Sequence, residues 1–143
     1  MTPLNLNHVT LYCSHLLNSV SFYNKQLGIE ILQLNQHQGY ALLNCGSCRL
    51  VLMQSKDNRS GVPVQQVMNY EGKQRMCTDS KADSAREDNV VLSLNCQDAE
   101  AFYHNLKAKG LQFIDQPCQQ FWGGIRVSLR DPDGHLLYLV SSG

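Results

Sequence analysis

One pattern, stated twice, limits what this chain can fold into more than any other feature. Residues 6–32, LNHVTLYCSHLLNSVSFYNKQLGIEIL, run from an alternating strand-like stretch into a helical stretch, stop at Gly28 and resume as a strand. Leu17, Val20 and Tyr23 or Leu27 recur near helical spacing within it. Residues 88–114, DNVVLSLNCQDAEAFYHNLKAKGLQFI, repeat the order, with Phe102 and Leu106 on the helix, Gly110 as its stop and Asp98 as an N-cap whose carboxylate can accept an orphan backbone N–H. Each unit is followed by a hairpin, GYALLNCGSCRLVLMQ in the first half and GGIRVSLRDPDGHLLYLV in the second. The expectation is a single α+β domain of two βαβββ modules, residues 1–54 and 90–143, joined by a linker or flap at 55–89. That joining segment carries half of all the charges and has weak periodicity, which reads as a solvated connection. Its Met68 and Tyr70 are candidates to pack over a pocket mouth.

Charge and length narrow the function. Twelve basic residues balance twelve acidic ones, so the chain has no cationic excess for nucleic acid or an anionic membrane, and neither is expected as a partner. No apolar run approaches a membrane span, and MTPLNLNHV has neither the basic nor the apolar region of a signal peptide; a cytoplasmic protein is expected. The six cysteines, Cys13, Cys45, Cys48, Cys77, Cys96 and Cys118, are then expected as free thiols. The Cys-Gly-Ser-Cys at 45–48 could be a redox pair or half a zinc site, but it lies between two strand-like runs rather than at a helix start and lacks a second pair, so it reads as a hairpin turn. No Gly-x-Ser-x-Gly elbow, phosphate loop or dinucleotide fingerprint is present. His135 in the Asp-Pro-Asp-Gly turn, and Arg49, Arg126 and Arg130, read as solvated, although Arg126, next to the glycines, could meet an anionic ligand.

The doubled unit, together with NHVTLYCSHLLNSVSFYNKQLG near the start and FWGG followed by RDPDGHLLYLV at the end, resembles the vicinal oxygen chelate superfamily of glyoxalase I, extradiol dioxygenases and the fosfomycin- and bleomycin-resistance proteins. The resemblance implies two curved mixed sheets around a concave pocket, with helices on the convex side. In metal-dependent members it implies a His on the first strand of each module and a Glu or Gln on each fourth strand, as an octahedral site for a Lewis-acid cation.

Residue by residue, the implied ligand set is incomplete here. His8 matches the first ligand, and strand parity sets His8, Thr10 and Tyr12 on the concave face with Val9, Leu11 and Cys13 toward the helix. Alignment through His15 and Asp98 puts Val91 opposite His8. The fourth strand of the first module offers aliphatic residues from Leu50 to Met53, with Gln54 the one nearby donor, and Tyr138 stands where the last acidic ligand is implied. The expectation is no metal and no cofactor, as in the bleomycin-resistance-like branch, whose resemblance implies a homodimer that sequesters an aromatic or amphipathic ligand in clefts shared by two subunits. His8, Thr10, Tyr12, Met53, Trp122, Arg126 and Tyr138 are the candidate ligand-binding residues, with Ser93 as a further hydrogen-bonding group. None is assigned a catalytic role. Each has a plainer reading: His8 as a hydrogen-bonded core histidine, Trp122 as a core plug, Tyr138 as packing. The alternatives are an enzyme of the same fold (lyase, isomerase or dioxygenase) using His8 as base or metal ligand, and a structural protein with a filled pocket.

Overall fold

A computed structural model describes residues 3–56 and 89–142. Most of the 55–89 connection, including Met68 and Tyr70, lies outside the described residues. The chain divides into two compact units, Met1–Gly61 and Val62–Gly143, and each holds one βαβββ module.

In the first unit, β1 (His8–Cys13) leads into α1 (Leu16–Ser21), which continues as a π turn (Phe22–Gln26) before β2 (Glu30–Asn35), β3 (Tyr40–Cys45) and β4 (Cys48–Gln54). The sheet order is β1-β4-β3-β2, with β1 parallel to β4 and the remaining pairs antiparallel. The second unit repeats this as β5 (Val91–Asn95), α2 (Ala99–Ala108), β6 (Asp115–Gln119), β7 (Ile125–Arg130) and β8 (Leu136–Ser141), in the order β5-β8-β7-β6. The second half's strand after Gly110 starts only at Asp115, five residues beyond that stop. This is an α+β fold of two mixed four-stranded sheets.

Period-two burial builds each core. Leu11 and Cys13 of β1, Leu50 and Leu52 of β4, and Ala41 and Leu43 of β3 are buried on one face, where α1 packs. The helix answers with Leu16, Val20 and Tyr23, spaced four and three residues apart. Leu17 does not belong to this stripe: one residue on from Leu16 is about 100° around the helix, and its side chain is half exposed. In the second unit Val127, Leu129, Leu137 and Leu139 meet Ala99, Tyr103 and Leu106 of α2. Phe102, expected on that stripe, is only half-buried, and Tyr103 takes the core position.

The helix ends explain why the elements stop where they do. Gly28 (φ 81°) and Gly110 (φ 97°) take left-handed backbone just past each helix, a conformation that costs a side-chain-bearing residue about 1–2 kcal/mol. At the other end, both modules borrow a cap from the last residue of the fourth strand. The Leu16 amide donates to Gln54 Oε1 at 2.9 Å while Gln54 Nε2 donates to the Ser14 carbonyl at 2.7 Å. The Ala99 amide donates to Ser141 Oγ at 3.0 Å, and Asp98 Oδ1, as expected for an N-cap, accepts from Ala101 N at 3.1 Å.

Three expectations about single residues need correction. Arg130 is not solvated: it is buried, and its Nη1 donates to the Gly134 carbonyl at 2.9 Å, bracing the turn in which Asp131 Oδ1 accepts from the amides of Asp133 and His135. His135 is accordingly half-buried rather than free in solvent. Among the cysteines, Cys13, Cys45, Cys48 and Cys96 are free thiols, but Cys118 is in a disulfide. A cross-link depends on which chain segments meet in space, and cysteine count alone does not carry that information.

Candidate functional site

Most of the candidate residues lie on the sheet faces turned away from the helices. In the first unit, β1 presents His8, Thr10 and Tyr12 there, and the register sets them beside Arg49, Val51 and Met53 of β4. Those in turn stand beside Asn44, Leu42 and Tyr40 of β3. Tyr12, Met53 and Tyr40 therefore form one transverse row, and Gln33 Nε2 donates to the Tyr40 hydroxyl at 3.0 Å at its far end. Tyr12 is half exposed. His8 is exposed and bonded through Nδ1 to Asn7 Oδ1 at 2.7 Å, so it is not a core histidine.

The second unit carries a more polar face. Ser93, Tyr138, Ser128 and Asp115 form a straight row across β5, β8, β7 and β6. Arg126 and Arg130 flank Ser128 on β7, one on each side along the strand. The Arg126 guanidinium lies over the Tyr138 ring, 4.3 Å from its centroid, a cation–π stack. Ser128 Oγ is fully buried with no hydrogen-bond partner among the described residues, a condition that costs about 1–3 kcal/mol for a buried polar group.

Trp122 belongs to the turn between β6 and β7 and is half exposed, which excludes the core-plug reading. A Cβ on Gly124 would run into its indole and into the Ser141 carbonyl, so glycine at 124 is what lets the ring sit close to the backbone two residues before Arg126. The structure thus brings His8, Thr10, Tyr12 and Met53 onto one face of the first sheet, and Arg126, Tyr138 and Ser93 onto one face of the second.

Sequence reasoning missed Asp115 and Ser128. The Ser128 signal was present, because IRVSLR alternates and parity with Arg126 selects Ser128 and Arg130. Asp115 carried no such signal, since a register shift between Asp115 and Cys118 breaks the alternation on β6.

The implied metal can be tested against these residues, and they do not fit it. Gln54, the one fourth-strand donor of the first module, spends both ends of its amide on the start of α1. The β4 residue that corresponds to Tyr138 is Val51, since Thr10 pairs with Val51 as Ser93 pairs with Tyr138. Val91 pairs with Leu136 and offers no donor. Among the described residues no group of three or more His, Cys, Asp or Glu could hold a metal ion. Nor is any helix among them long and apolar enough to cross a membrane.

Comparison with known proteins settles the family. Residues 5–139 match the family model of the Glyoxalase/Bleomycin resistance protein/Dioxygenase superfamily. The chain belongs to that superfamily. A curated relative in sequence is the uncharacterized protein YraH of Bacillus subtilis (strain 168), 23% identical over 135 residues that span 94% of this chain and 95% of that protein. Among solved structures, a putative glyoxalase family protein from Bacillus anthracis superposes with a TM-score of 0.69 at 11% identity, covering 100% of this chain and 98% of the other. A lactoylglutathione lyase from Agrobacterium tumefaciens does so with a TM-score of 0.64 at 16% identity, covering 99% and 96%. At such identities the structural likeness establishes the glyoxalase fold alone.

Proposed function

We propose that this glyoxalase-superfamily chain is a metal-independent small-molecule binding protein, a homodimer of the bleomycin-resistance-like kind, that sequesters an aromatic or amphipathic ligand on its helix-free sheet faces. The observation that carries the reading is Tyr138. Where the family's metal-dependent members are implied to keep a carboxylate, this chain has a half-buried phenol ring under the Arg126 guanidinium. A buried carboxylate without a cation is costly, whereas a phenol buries its ring and needs one hydrogen bond. Tyr138 and Arg126 together offer a flat surface and a charge for stacking, Ser128 and Ser93 offer hydroxyls in the same row, and Tyr12 and Met53 offer an aromatic and an adaptable apolar surface on the other sheet.

Pairing of copies is supported by apolar surface left on edge strands, with Leu32 and Leu34 of β2 and Tyr12 of β1 all substantially exposed. Sedimentation at tens of micromolar is expected to give a dimer; a monomer there removes that part of the reading. Elemental analysis is expected to find no stoichiometric Ni, Zn, Fe or Mn, and about one equivalent that is lost in His8→Ala overturns metal independence.

The decisive experiment is a small-molecule thermal-shift screen run with and without divalent metals, because any ligand of the native state raises the melting temperature by mass action. Flat aromatic compounds are expected to stabilise the protein equally in both arms, with quenching or a shift of Trp122 fluorescence that Trp122→Phe abolishes. Hits that appear only with metal sink the reading. They would favour the second one, an enzyme using His8, whose ring is already oriented by Asn7.

A further inference from the structure

The Cys-Gly-Ser-Cys turn is not used by the ligand-binding faces, and its geometry goes beyond that of a plain turn. Gly46 (φ 82°) and Ser47 close a two-residue loop, with the Gly46 amide donating to Asn44 Oδ1 at 3.1 Å. Cys45 and Cys48 are register partners directly across the last step of the β3–β4 ladder. Partners in an antiparallel ladder point to the same face, with Cβ atoms about 4.5–5.5 Å apart. Both sulfurs are free thiols, half-buried and therefore still reachable. Parity puts them on the helix side of the sheet, with Leu43 and Leu50, and so on the opposite face from His8, Tyr12 and Met53.

We propose that Cys45 and Cys48 form a bidentate thiolate site for one soft, two-coordinate cation of the Cu(I) class, separate from the small-molecule face. Two sulfurs that converge from opposed strands can bind one ion between them in a near-linear arrangement, and thiolates are the donors that select soft ions such as Cu(I). Zinc needs four ligands, and no third His, Cys, Asp or Glu completes a set among the described residues. Binding replaces two S–H bonds by two Cu–S bonds. Both protons go to solvent, the complex carries one negative charge, and neither sulfur nor copper changes oxidation state.

The proton balance gives the site a signature. Burial, and secondarily the neighbouring Cys48, pushes the Cys45 thiol up from its ordinary value. At neutral pH the cation must therefore displace the Cys45 proton rather than meet a ready thiolate there. Affinity should rise with pH by up to about 100-fold per unit while both thiols are protonated.

The test is an anaerobic titration of the whole reduced protein with Cu(I), in competition with the chromogenic chelator bathocuproine disulfonate, read together with native mass spectrometry. The expected result is about one Cu(I) per chain, lost in Cys45→Ser and in Cys48→Ser, retained in Cys96→Ser, and strengthened as pH is raised. Binding that survives both single substitutions, or that is independent of pH between 6 and 8 (a range of about 2 units), overturns the proposal. So does a reduced protein that takes up no Cu(I) while the pair closes to a disulfide in air. Circular dichroism of the serine variants checks that the fold persists. Serine is nearly isosteric at these half-buried positions, and unfolding of both variants would itself count against a site built for binding rather than for packing.

Discussion

The two modules share a topology, a ladder register and a way of starting the helix, yet they have diverged on the face that would meet a ligand. In the first, the positions opposite Thr10 and Leu42 meet at Val51, an aliphatic residue, and the polar groups sit at the margins, with Asn44 Nδ2 donating to Glu30 Oε1 at 3.2 Å and Gln33 to Tyr40. In the second, the matching position is Tyr138, and its neighbours across the sheet are Ser93, Ser128 and Asp115. The cores did not diverge in this way. Tyr23 and Leu106, at matching helix positions, are both fully buried. What folds the chain is present in duplicate, while the row of hydroxyls beside an aromatic ring is present on one copy alone among the described residues.

The largest effect that would break this comparison concerns the caps. Gln54→Ala removes an acceptor from the Leu16 amide and a donor from the Ser14 carbonyl, and about 2–3 kcal/mol of stability is expected to be lost in urea unfolding. Ser141→Ala removes a single acceptor from Ala99, and Asp98 still caps the helix beside it, so about 1 kcal/mol is expected. Equal losses from the two variants would mean that the Asp98 cap adds nothing to how the second helix is held.

Next in size is Tyr138→Val, which gives the second face the residue of the first. It is expected to weaken binding of a ligand found in the screen by about tenfold or more, the scale of losing one stacked aromatic, while Trp122 fluorescence of the free protein stays unchanged. If affinity is untouched and stability falls by several kcal/mol, on the scale of an aromatic deleted from a core, Tyr138 is packing and the binding proposal loses its central residue.

The smallest effect has the most informative sign. Ser128→Ala removes a buried hydroxyl that has no partner among the described residues, so the folded protein is expected to become more stable by about 1 kcal/mol. The same variant is expected to bind the ligand less tightly. A gain in stability with no change in affinity would assign Ser128 to neither packing nor recognition.

The fold was legible because its signals are local and periodic. Alternation separated Leu11 and Cys13 from Thr10 and Tyr12, and glycine marked both helix ends. The remainder depended on distances along the chain that periodicity does not encode. Gln54 looked like a potential metal donor, and only the meeting of β4 with the start of α1, across 38 residues, shows it to be a cap. Leu17 and Leu16 are indistinguishable by hydropathy, and the phase of the helix, fixed by where it begins, decides between them. Arg130 resembled any strand arginine until its own turn folded back onto it. Asp115 was hidden by a bulge.

The π turn at Phe22–Gln26 gives the duplication a history. The stopping Gly28 stands thirteen positions after His15, whereas Gly110 stands twelve positions after Asp98. The first module thus has one residue more between matching landmarks, and its helix has a widened turn, which the second helix lacks, where an extra residue can be stored. An insertion in a strand would have turned every later side chain to the wrong face. Held inside the helix, it left Tyr23 in the core and the ladders in step, so a gain or loss of one residue there is a change of length that this architecture can survive.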